Sequence, residues 1–204
     1  MKTIFAAGDS ISFNYCPYLE KMIGQEYLFK TKEGKEEASR NLNYPDGANC
    51  GDSSMLLAYL QDEKENNAIH YDYFVFNCGL HDIKVNNENG TCQVSAAQYK
   101  KNLLKILQIM KEKNVKVIWI STTSADDQRH NSLMGEFKRY NKDILCYNEI
   151  AKEIMQQHNI PIIDLYSFTK GLGNDVYCDH IHYKENVQQL QAAYIYGFLK
   201  GVIL

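Results

Sequence analysis

The sequence predicts an α/β protein, a flavodoxin-like three-layer α/β/α sandwich on a five-stranded parallel sheet. Two observations predict it: short β-branched and aromatic runs alternate with longer stretches of helical period, and the runs number five. The first run, Lys2 to Ala7, ends at Gly8-Asp9-Ser10, ahead of a helix expected to begin near Tyr15. The others are Tyr27 to Thr31, Tyr71 to Asn77, Val115 to Ser121 and Ile160 to Leu165. Ala96, Tyr99, Leu103, Ile106, Leu107 and Met110 recur every three or four residues and place an apolar stripe on a helix. Ile144, Tyr147, Ala151 and Ile154 form a second stripe, and Val187, Leu190, Tyr194, Phe198 and Val202 a third. Each reads as a core-facing surface.

A chain of 204 residues, against about 150 per domain, is expected to be one domain spanning 1–204. Three prolines, no repeat and no Gly/Ser linker give a second domain no place to begin. Lys+Arg of 22 against Asp+Glu of 25 leaves a net charge of −3, without the basic footprint of a nucleic-acid binder. Hydrophobic residues at 45% supply a full core, so disorder is excluded. No apolar run reaches the roughly 18 residues of a membrane span. The N-terminus meets Gly8 too soon for a signal peptide. Six scattered cysteines without a Cys-x-x-Cys pair argue against a zinc knuckle or redox dithiol and fit reduced thiols in a cytoplasmic protein. Asn89-Gly90-Thr91 matches a glycosylation acceptor but reads as a turn.

Ligands of open α/β sheets bind outside the carboxyl ends of the strands, so the polar stretches Lys32 to Gly51 and Thr122 to Glu136 are candidate site walls. Ser10 stands at a strand-to-helix turn, where a hydroxyl is exposed beside free backbone N–H groups; equally, Asp9 or Ser10 there caps a helix. Near the other end, Asp179-His180-Ile181-His182 offers a carboxylate three residues from an imidazole. Serine becomes a nucleophile when a histidine takes its proton and a carboxylate fixes that histidine's tautomer. His182 fits the base, Asp179 its orienter, and His180 is the spare. Asn49-Cys50-Gly51-Asp52-Ser53 and Asn77-Cys78-Gly79-Leu80-His81-Asp82 add possible hydrogen-bond donors, or serve as turns and helix caps.

In this order, Gly-Asp-Ser, Asn-x-Gly-x-Ser, Gly-x-His-Asp and Asp-x-x-His resemble the four blocks of the SGNH/GDSL hydrolase superfamily. The resemblance runs from Gly8 to His182. It implies Ser10 as nucleophile, His182 as general base and Asp179 as its partner. It also implies an oxyanion hole from the Ser10 and Gly51 N–H groups, with Asp9 and Asp82 supporting the loops. One position departs: the family's oxyanion asparagine is His81 here. An imidazole donates only from a protonated nitrogen, so His81 serves by tautomer choice or as imidazolium.

The resemblance implies a serine esterase acting on a small-molecule ester, with no cofactor or metal. The expected substrate is a short acyl group, acetyl above all, on a carbohydrate or similar polar alcohol, with Tyr15, Tyr18 and Tyr44 near the site as stacking faces. A lysophospholipase or thioesterase of the same family is the alternative within the class. Two readings lie outside it. One is a metallohydrolase on His81, Asp82, Asp179, His180 and His182; the other is a non-catalytic flavodoxin-like module cradling a phosphate at Gly8 to Ser10. Oligomeric state is not legible.

Overall fold

Every residue of the first strand, β1 (Thr3–Ala7), is buried, as only an interior strand covered on both faces can be. The computed structural model describes residues 1–203. After β1 come α1 (Ser10–Ile23), β2 (Leu28–Thr31), α2 (Lys35–Arg40), α3 (Ser53–Glu65), β3 (Tyr73–Phe76) and the short β4 (Val85–Asn86). Then follow α4 (Ala96–Glu112), β5 (Lys116–Ile120), α5 (Asp127–Leu133), the short β6 (Phe137–Lys138), α6 (Asn141–Gln157), β7 (Ile162–Ile163), α7 (Leu165–Gly171) and α8 (Glu185–Val202).

Among the described residues the main sheet has five parallel strands in the order β2-β1-β3-β5-β7, and β4 pairs with β6 antiparallel. The register sets Ile4 between Phe29 and Tyr73. The chain steps one way from β1 to β2 and the other way thereafter. Right-handed crossovers therefore put α1 on one face and α3, α4 and α6 on the other. The contacts agree: α1 packs on α8, and α4 on α3 and α6. Phe5 stacks on Tyr71 at 4.8 Å and Phe74 on Phe76 at 4.9 Å inside the core.

The departures from the sequence reading have local causes. Helix α1 begins at Ser10 rather than near Tyr15, because the Asp9 carboxylate accepts the Ile11 N–H at 2.9 Å and caps it. Strand β7 stops at Ile163, and Leu165 opens α7 because Asp164 accepts the Ser167 N–H at 3.0 Å. In α8 the buried face is Val187, Gln191, Ala192, Ile195 and Leu199. Leu190 and Val202 are exposed, while Tyr194 and Phe198 are half-buried. Gln191 turns inward because its amide donates to Thr169 Oγ1 of α7 at 3.1 Å. The α4 stripe is buried except Ala96, which follows the cap Ser95 in the exposed first turn. Among the described residues no helix is long and apolar enough to cross a membrane, and all six cysteines are unpaired.

Candidate active site

The order β2-β1-β3 reverses the chain's direction across the sheet at β1 and β3, and the crevice there opens beyond their carboxyl ends. Ser10 follows β1 and the Gly79–Asp82 turn follows β3. The C-terminal segment reaches the same place because α8 packs on α1, with the Tyr18 hydroxyl donating to Glu185 Oε1 at 2.8 Å. A small hairpin pairs Tyr177 with Tyr183 just before α8. At its tip one Asp179 oxygen accepts the N–H groups of Ile181 and His182, both at 2.7 Å, and shapes the turn. The other oxygen lies 2.6 Å from His182 Nδ1, and His182 Nε2 lies 2.9 Å from Ser10 Oγ. An Nδ1–H donated to Asp179 leaves Nε2 as acceptor for the Ser10 hydroxyl, the tautomer that proton abstraction needs. Burial opposes the Asp179 charge, but the hydrogen bonds from His182 and Ile181 outweigh it and hold the carboxyl below its ordinary range.

Three donors were expected around an incoming carbonyl oxygen. Ser10 is the first residue of α1, so its N–H has no acceptor within the helix. Gly51 is brought beside it by the Cys50 N–H, which donates to the Gly8 carbonyl at 2.9 Å. Only glycine fits there: φ is +68°, and a Cβ would meet Met55 Sδ at 2.6 Å and Pro45 Cβ at 2.7 Å. Its N–H, however, already donates to Asn49 Oδ1 at 3.1 Å, so an oxyanion would share or displace that bond. His81 is 1% exposed. Burial, then Lys84, Arg139 and His182, push its pKa well down, so the imidazolium option is corrected to a neutral ring. Its buried Nδ1 has no partner.

The carboxylates of the motifs hold loops. Asp9 caps α1, its Oδ1 accepting the Ile11 N–H that a phosphate at this turn would need, against the phosphate-cradle reading. Asp82 does not cap a helix after its own strand. It accepts the N–H of Ser53, the first residue of α3, at 3.0 Å on both oxygens, and also the Ser53 hydroxyl. Burial pushes the Asp82 carboxyl up to about 8. The folded protein thus keeps a proton that the unfolded chain, near 3.9, releases. That contribution is whole below about pH 4 and is lost as the pH rises towards 8. Asp82→Asn is expected to flatten the decline of Tm across that window, and an unaltered decline would refute the assignment.

No protein-family model matches the chain, and no curated protein matches it significantly. Solved structures do. A lipase/acylhydrolase from Enterococcus faecalis superposes with a TM-score of 0.72 at 22% identity, over 98% of this chain and 96% of that one. A member of the lipolytic protein G-D-S-L family from Veillonella parvula gives 0.67 at 18% identity, over 100% and 98%. An acetyl xylan esterase gives 0.68 at 16% identity, over 97% and 99%. The chain has the GDSL-hydrolase fold.

On this GDSL fold the two loops expected to wall the site meet, the Tyr44 hydroxyl donating to Glu136 Oε2 at 3.0 Å. Tyr15 is no stacking face; it is buried, with its hydroxyl 2.9 Å from Ser12 Oγ. Asn77 spends its amide on the Ile120 carbonyl and Thr122 Oγ1, at 2.9 and 3.1 Å. His180 is drawn away from Ser10: its Nδ1 lies 2.8 Å from Nδ1 of the buried His130 of α5, whose pKa burial depresses to about 3. Arg129, also of α5, donates to the Asp179 carbonyl at 2.9 Å, so α5 holds the tip of the hairpin at two points. Among the described residues no three His, Cys, Asp or Glu side chains gather as metal ligands, which corrects the five-residue ligand set. Sequence reasoning missed Arg129, His130, Lys84 and Arg139. For the buried Asn102, which donates to Ser53 Oγ at 2.9 Å, the one available signal was a polar residue inside an apolar stripe.

Proposed function

We propose that residues 1–204 form one serine hydrolase domain of the SGNH/GDSL type, cleaving carboxylic esters by acyl transfer through Ser10. What carries the reading is the unbroken relay of 2.9 Å from Ser10 Oγ to His182 Nε2 and 2.6 Å from His182 Nδ1 to Asp179. Ser10 Oγ attacks the ester carbonyl carbon while its proton passes to His182 Nε2. The negative charge on the former carbonyl oxygen is met by the Ser10 N–H, by the Gly51 N–H and by neutral His81. Collapse breaks the bond to the alcohol, which leaves with the proton from His182. Water then attacks the acyl-enzyme, gives a proton to His182, and the acid departs as Ser10 regains its hydrogen.

The acyl group in this reading is short, with acetyl on a carbohydrate or other polar alcohol as the favoured substrate. Ser10 at 5% exposure and His182 at 3% present little open surface to a substrate, and one protein of the same fold is an acetyl xylan esterase. Turnover of p-nitrophenyl esters is expected to be fastest for acetate and to fall with each added pair of methylenes. A maximum at long chains would favour the lysophospholipase or thioesterase alternative. Burst kinetics and labelling of Ser10 by a serine-directed phosphonate test the acyl-enzyme itself; a folded protein whose mass stays unchanged after such treatment would remove it.

A further inference from the structure

Two buried cations near His81 make no close ion pair among the described residues. Arg139 is 2% exposed and Lys84 is 8% exposed, and among the described residues neither has a carboxylate oxygen within 4.0 Å. Arg139 donates through Nε to the Leu80 carbonyl at 2.8 Å, while its buried Nη1 has no partner. The Lys84 ammonium makes one long hydrogen bond, 3.4 Å, to the Asn43 carbonyl. Both lie over one ring, Lys84 at 4.7 Å and Arg139 at 4.9 Å from the centroid of Phe137. Three carboxylates act on them from further away. Asp9 holds the Ile11 N–H through Oδ1 and is the acid that acts on Arg139, its buried Oδ2 being without a hydrogen-bond partner; Asp52 holds Ser54, Met55 and Gln93, and Glu136 holds Tyr44.

Burying a charge without a close partner is costly, and an anion received beside these two cations would offset part of that cost. The position suits a group on the substrate. Lys84 follows His81 by three residues on the turn after β3, its ammonium reaches across to the Asn43 loop, and Arg139 is held to the same turn by its bond to the Leu80 carbonyl. We propose that Lys84 and Arg139 form a subsite for an anionic group on the substrate, so that the ester cleaved carries a carboxylate or a phosphate near its carbonyl. This deepens the esterase reading and rests on it. Lys84 supplies a movable point charge to the anion; Arg139, the more deeply buried, fixes the field behind it.

Two matched ester pairs test the subsite. p-Nitrophenyl hemisuccinate against p-nitrophenyl pentanoate puts the charge on the acyl half; 4-acetoxybenzoate against its methyl ester puts it on the alcohol half. In at least one pair kcat/KM is expected to favour the anion by about tenfold at low salt, mainly through KM, and Lys84→Met is expected to erase that preference. The ratio is internal to each variant, so partial loss of folded protein leaves it intact. A ratio at or below one in both pairs, or a preference that survives both Lys84→Met and Arg139→Met, overturns the subsite while leaving the esterase standing. If Ser10 proves inert to every ester and to phosphonate, the esterase reading fails alone. Succinate and inorganic phosphate still test the subsite by raising the Tm of the wild type and not of Lys84→Met. The larger shift identifies the anion, and no shift with either overturns the proposal.

Discussion

Ser10→Ala is expected to lower kcat on p-nitrophenyl acetate by about 10⁴- to 10⁶-fold, to abolish the burst and to end phosphonate labelling. The change removes one oxygen, and the local fold does not lean on that oxygen for its cap. Asp9, not Ser10, receives the Ile11 N–H at the start of α1. Tm should therefore stay within a few degrees of wild type, and loss of activity can be read as loss of the nucleophile. His182→Ala should fall by a similar factor, and the double variant should be little worse than either alone, because the two side chains act as one unit. Additive losses, or a Ser10→Ala protein that keeps more than about a hundredth of wild-type turnover, would place the chemistry elsewhere.

The parts of the site that were legible are those written into local order. Ser10 is announced by the strand before it, and the Asp179–His182 spacing is enough for one carboxylate both to shape the turn and to meet the imidazole. The sheet was legible for a related reason: its interior strands, such as Tyr73–Phe76, are apolar on both faces and read as short continuous runs. What stayed hidden is polar burial that depends on a partner far along the chain. Gln191 is drawn inward by Thr169, which rotates the buried face of α8 by one residue relative to the apolar pattern. Arg139 is paired with the Leu80 carbonyl across 59 positions, and no spacing within its own segment marks it. His130 is met by His180 across 50 positions and fixes which imidazole of Asp179-His180-Ile181-His182 remains for Ser10. Periodicity records which faces avoid water; it carries no record of which polar groups find each other behind them.

His81→Ala is expected to cost about 10²- to 10³-fold in kcat with KM little changed, the loss of one donor that acts only when charge develops on the carbonyl oxygen. The neutral state of the ring gives this prediction its form. An imidazolium would bring a charge and a pH-dependent donor, whereas burial beside Lys84, Arg139 and His182 keeps the proton count at one. Because Nδ1 has no partner within the protein, no second hydrogen bond fixes the tautomer. An incoming oxyanion can select the form that donates to it. The ratio of wild-type to His81→Ala turnover should accordingly stay flat from about pH 7 to 9, since burial pushes the ring's pKa well below its ordinary value near 6.5. His81→Asn supplies a neutral amide without a tautomer to choose and should recover activity to within about tenfold of wild type. A His81→Ala protein as fast as wild type, or a ratio that rises steeply with acid, would mean that the ring is not the third donor. Ser10 and Gly51 would then be left to hold the oxyanion alone, with the Gly51 N–H still shared with Asn49.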